Sequence, residues 1–217
     1  MTMPAGRSVE AAVLRRAEGA LLACAIGAEL GEGGAPEWVD LTASALSSLG
    51  DPGGLVAATP GEAGVTLWLL AIRHTVLTGE LDARLGLTGL EESHRERWSR
   101  LLAQAERQPP EGFLDGLGSA GVVQAIQAAW STIMHTEVLP YDPERHLVDA
   151  LERCRGVQAT VPAIAGGLLG ACHGVGAVPS EWIEDLPSAA DIIRRARELA
   201  AASWAEDPDA ELFDLPE

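Results

Sequence analysis

Residues 157–182 read VQATVPAIAGGLLGACHGVGAVPSEW, and the reading of this stretch decides the fold. From Val161 to Ala171 it is apolar on every face, the pattern of a helix packed on all sides rather than against one neighbour. Gly166, Gly167 and Gly170 sit among Ile164, Leu168 and Leu169. Each glycine costs about 1 kcal/mol of helix propensity relative to alanine, so their presence predicts neighbouring backbones that come close. Gly174 and Gly176 stop the helix, Pro179 follows, and Trp182 anchors the next short element.

Working outward, the rest of the chain also reads as helix. Ala and Leu dominate, β-branched residues are sparse, and the aromatics other than tryptophan are Phe113, Tyr141 and Phe213. A first helix, with Ser8 as its N-cap, carries Val13, Ala17, Leu21 and Cys24 inward and runs out at Gly27 to Gly31. Its apolar part is short and interrupted by Glu18, so it reads as mature structure and not as a secretion signal. Pro36 opens a second helix that Gly50 ends, and Asp51-Pro52-Gly53-Gly54 reads as a turn. A third apolar helix holds Thr66 to Leu77 and stops at Gly79. Charged residues 91–107 form an amphipathic helix with Trp98, Leu101 and Leu102 on its apolar side. Helices follow near Val122 to Trp130, from Pro143 to Cys154 and from Ala189 to Trp204. The last turns Ile192, Ile193, Ala196, Leu199 and Ala200 inward and Arg194, Arg195 and Arg197 outward. The expectation is one all-helical domain over residues 1–205, followed by an acidic tail at 206–217.

A net charge of −17, from 15 basic and 32 acidic residues, speaks against a nucleic-acid partner, whose phosphates require a Lys/Arg surface. No apolar run reaches the ~20 residues of a membrane span. Cys24, Cys154 and Cys172 show no metal-ligand spacing and read as buried thiols in a reducing cytoplasm. None of the histidines falls four residues from another histidine or from a cysteine, and no Ser-His-Asp or Cys-His signature appears.

Thr160 to Trp182 resembles the closing region of the ADP-ribosylglycohydrolase family, in which a GGDTDT motif precedes an apolar glycine-rich helix, a GAxxG step and P-x-x-W. The helix, Gly170-Ala171-Cys172-His173-Gly174 and Pro179-Ser180-Glu181-Trp182 all match. The line from Gly19 to Gly31, beginning Gly19-Ala20-Leu21-Leu22-Ala23-Cys24-Ala25-Ile26-Gly27, is similar to the family's first helix, and residues 119–130 to a late one. The resemblance implies an all-α orthogonal bundle, here shortened because the family's long middle section has no counterpart. It also implies, for intact members, two divalent metals, usually magnesium, held by carboxylates of a TDDT motif and of GGDTDT and used to cleave an N-glycosidic bond. At the matching positions this chain has Ala63-Gly64-Val65-Thr66 and Arg155-Gly156-Val157-Gln158-Ala159-Thr160. Hard cations require charged oxygen ligands, and Gly64, Val65, Val157 and Ala159 offer none.

The expected residents of the old cleft are therefore Glu29, Glu32, Glu62, Thr66, Gln158 and Thr160, with no metal, no cofactor and no assigned catalytic residue. Thr66 and Thr160 read as helix-start residues, and the glutamates as acids at the cleft mouth. Two functions follow. The first is a catalytically inactive relative that binds protein, either a second copy of itself or a paralogue, across apolar surface left by the missing section. The alternative is a metal-independent enzyme or binder of a nucleotide-like small molecule, in specialised metabolism or in immunity to an ADP-ribosylating toxin, with Trp38 and Trp68 as pocket walls.

Overall fold

A computed structural model describes residues 5–59, 61–114, 121–139 and 141–205. Among them there are eleven α-helices, two short 3-10 turns and no β-strand beyond a single isolated bridge. The helices are α1 (Ala5–Leu30), α2 (Pro36–Leu46), α3 (Pro52–Ala58), α4 (Ala63–Thr78), α5 (Glu92–Arg107), α6 (Glu111–Leu114), α7 (Val122–Met134), α8 (Pro143–Arg153), α9 (Thr160–His173), α10 (Ser180–Asp185) and α11 (Ala189–Ala205). The acidic tail expected at 206–217 lies outside the described residues.

The glycine-rich helix α9 is the centre, as its all-round apolarity predicts: every residue from Val161 to Ala171 is buried. Its principal partner is α1, which runs antiparallel to it. Gly19 faces Gly170, Ala23 faces Gly166, Gly27 faces Pro162 and Gly31 faces Ala159, one helical turn apart each time. A Cβ on Gly166 would overlap the Ala23 carbonyl oxygen, and one on Gly170 the carbonyl oxygen of Gly19. The two backbones thus touch along a seam where no side chain fits, which is why the sequence accepts the helix-propensity cost of glycine there.

Around that pair, α4, α7 and α8 pack on α9, while α2 and α11 pack on α1. One contiguous core runs from Val13 to Ala200 and includes Trp38, Trp68, Trp98 and Trp130. Trp68 is wholly buried, and its indole Nε1 donates to the Ile164 carbonyl at 3.1 Å, fixing α4 to the second turn of α9. Glu18, 4% exposed on α1, accepts a 2.6 Å bond from Arg197 Nε, tying α11 to α1.

Several boundaries differ from the sequence reading. Helix α1 already includes Ala5, so Ser8 lies inside it and is not its N-cap, and it continues through Gly27 to Leu30. Gly27 is a contact residue against Pro162, not a breaker. The turn expected at 51–54 is instead the start of α3: Asp51 caps it by accepting from Gly54 N at 2.9 Å, and Pro52 takes the first helical position. Arg197, expected to point outward, folds back onto Glu18.

Candidate functional site

Trp68 bonds to Ile164, and one turn further along both helices Ile72 faces Gly167, so α4 and α9 run in the same direction. Their starts therefore lie at one end of the bundle. Because α1 runs the opposite way, its C-terminus arrives at that same end. The chain leaving α1 is then sewn to the segment before α9: Glu32 N donates to Val157 O at 2.8 Å and Ala159 N donates to Glu32 O at 3.0 Å, a parallel bridge between Glu32 and Gln158. This topology gathers all six expected site residues, Glu29, Glu32, Glu62, Thr66, Gln158 and Thr160, at the end formed by the three termini.

What they do there is less than a site. Glu29, Glu32, Glu62 and Gln158 are exposed, and Thr160 is half-buried. A general acid for glycoside cleavage is a carboxyl set in an apolar pocket, a setting that none of the three glutamates has. Thr66 is buried and already engaged: its hydroxyl lies 2.6 Å from that of Thr59 and reaches the carbonyls of Glu62 (3.2 Å) and Thr59 (3.3 Å). It fastens the loop before α4 onto the first turn of that helix.

The positions that match the family's carboxylates are packed shut. Val65 and Ala159 are buried in the core and Val157 is half-buried against it. Gly64 faces the indole of Trp98, which α5 carries into the space above the first turn of α4. A Cβ at position 64 would stand 2.5 Å from Trp98 Cζ2, 3.0 Å from Cη2 and 3.3 Å from Ile126 Cδ1 of α7. Trp98 is 2% exposed. The donor set does not fit a pair of divalent cations: aliphatic groups stand where charged oxygens are required, and at Gly64 an aromatic ring takes the room that a larger side chain would need. Among the described residues no group of three or more His, Cys, Asp or Glu converges as metal ligands anywhere else.

Other candidates fall out similarly. Trp38 and Trp68, expected as pocket walls, are core residues instead, because both rings are consumed in packing α2 and α4 onto the rest of the bundle. A cleft of about 360 Å³ does exist, but it lies toward the other end of α4, between α3 and the 3-10 turn Ala83–Gly89, and is lined by Val56, Leu70, Arg73, His74 and Leu85 among others. None of the six expected residues borders it. Burial pushes the Cys24 thiol up to about 12 and that of Cys154 up to about 11, and raises Cys172 as well, so all three are poor nucleophiles.

Two features escape sequence reading. Trp98 appears in the sequence only as the apolar side of a charged helix, and nothing in the spacing says that it covers Gly64. His146 and His173 meet with Nδ1 and Nε2 2.9 Å apart, although 27 residues separate them in the chain.

A helical bundle that brings the starts of two parallel helices and the end of a third to one face, over a glycine seam, defines the class of protein. The sequence model of the ADP-ribosylglycohydrolase family matches residues 17–209, and the chain belongs to that family. No curated protein and no solved structure gives a significant match. The all-α architecture expected from the resemblance is the one observed, and no described helix is long and apolar enough to cross a membrane.

Proposed function

We propose that this chain is a metal-free, catalytically inactive ADP-ribosylglycohydrolase relative, retained in the cytoplasm as a protein-binding or regulatory scaffold that works as an oligomer or with a paralogue. The observation that carries the reading is Trp98 over Gly64: the volume that metal ligands would need at the start of α4 is filled by a buried indole. Losing the carboxylates alone would leave Gly64 open to the cleft, whereas here an indole covers it. The exposed glutamates nearby lack the apolar setting that general acid catalysis demands.

The binding role rests on the apolar groups at the surface. Of the described residues, Val122, Met134, Val138 and Tyr141 are the exposed large hydrophobics, and the last three fall within the end of α7 and its connection to α8. The cytoplasmic assignment rests on three cysteines that are all unpaired.

Calorimetric titration with magnesium or manganese, followed by ADP-ribose in the presence and absence of metal, tests the loss of chemistry. No saturable heat is expected from either. Tight, metal-dependent ADP-ribose binding would return the chain to the ordinary hydrolases, and metal-independent binding would favour a small-molecule function instead.

A further inference from the structure

Where α7, α8 and α9 meet, two histidines are joined by a hydrogen bond that the family site does not use. His146 on α8 is wholly buried, and His173, the last residue of α9, is half-buried beside it. The rings stand edge to face, with centroids 5.2 Å apart and planes inclined by 71°. His146 Nδ1 lies 2.9 Å from His173 Nε2, and His146 Nε2 lies 3.4 Å from the carbonyl oxygen of Ile133 on α7.

The tautomers follow from those partners. A carbonyl only accepts, so His146 carries its hydrogen on Nε2. Neutral His146 then has a bare Nδ1, and the hydrogen between the rings belongs to His173 Nε2. Two neutral rings satisfy this chain of bonds from α9 through α8 to α7. One added proton enters on His173 Nδ1 and leaves the bond between the rings in place. A second cannot enter, because two N–H groups would then point at each other across 2.9 Å.

We propose that the pair is an acid-sensitive latch: a pair with one bare nitrogen between the rings docks α8 onto α7 and α9, and protonation of both rings releases the helix.

The surroundings support it. Helix α8 is eleven residues long and packs chiefly through Leu147, Ala150 and Leu151, so the buried pair is a large share of its attachment. Of the charged groups on the elements packed here, Asp149 on α8 acts on His146 and is itself paired with Arg145; Arg153 is turned to the His135 carbonyl after α7, and on α1 Arg15 meets Gly174 through its backbone while Arg16 acts on Cys172. Of these, Asp149 favours the charged form of His146, but burial outweighs it and holds the ring below its usual range. Burial, and then His146 itself, depress His173 to about 4. With both folded values below the ordinary 6.5, the released state binds more protons in this window. The docked state is therefore favoured above about pH 6.5 and loses ground as the pH falls toward about 4.

Amide hydrogen exchange of the full chain, corrected for intrinsic exchange rates, tests the latch. Protection of α8 is expected to fall about tenfold or more between about pH 7 and pH 4.5, relative to α4 in the same sample. His173→Gln offers an amide oxygen to protonated His146 and removes the second titration, so the pH dependence of α8 protection should shrink to about threefold or less. Equal pH dependence in the two proteins, or none in the parent, would overturn the proposal. Should the variant fail to fold, imidazole nitrogen shifts of the parent decide: neutral Nε2–H tautomers on both rings at about pH 6 are expected, and a charged ring at that pH would overturn it.

Discussion

At the scale of single residues, the seam between α1 and α9 makes a sharp distinction between adjacent glycines. Alanine at 166 gains about 1 kcal/mol of helix propensity. Against that, its methyl group meets the Ala23 carbonyl, a backbone atom that cannot turn aside, and overpacking of this kind costs about 1–3 kcal/mol. The nearest atom to alanine at 167 is the far end of Ile72, 3.3 Å away, which can shift, while Thr42 Oγ1 and Cys24 Cβ at 3.6 and 3.7 Å are in ordinary contact. Gly166→Ala is therefore expected to lower the denaturant midpoint and Gly167→Ala to leave it unchanged or raise it. Arg197 supplies a second contrast. Removing it strands the Glu18 carboxylate in the core, at a cost of about 1–3 kcal/mol. Arg194→Ala breaks only solvent-exposed pairs with Asp191 and Glu198, which water and salt screen, so little stability should be lost. Paired urea titrations of the two alanine variants would read the difference.

At the scale of elements, what the sequence discloses depends on whether the signal is local. Helix α9 is legible because eleven consecutive buried positions leave no polar face, and glycine in such a helix has one good explanation. Helix α3 is not, because Pro-Gly-Gly is ordinary turn chemistry until the Asp51 cap is seen to close on Gly54. The expected site residues do converge, since helix order and direction carry them to one end, yet the side chain that covers Gly64 there comes from α5. Trp98 reaches Gly64 across 34 positions of chain, a pairing that no periodicity encodes. The His146–His173 pair is hidden for the same reason. Trp98→Ala should cost about 3–5 kcal/mol, as expected for a buried tryptophan. It should not create metal affinity, because Gly64, Val65, Val157 and Ala159 still offer no charged oxygen. Thermal unfolding with and without manganese checks both halves of that expectation.

At the scale of the whole molecule, the all-α framework of the family persists. The starts of α4 and α9 lie at one end of the bundle, with Trp98 against Gly64 in the first and Val157 and Ala159 packed on the core before the second. If the exposed Met134, Val138 and Tyr141 serve an interface, light scattering should return a mass above the 22.7 kDa of one chain, falling toward it when Tyr141 is changed to Lys. A strict monomer at every concentration would leave self-association without support.

The most direct test of the metal-free framework is electron paramagnetic resonance of manganese titrated with this protein. The six-line signal of the free aqua ion should stay undiminished as the chain is added. Loss of that signal with a stoichiometry of two ions per chain would contradict the account.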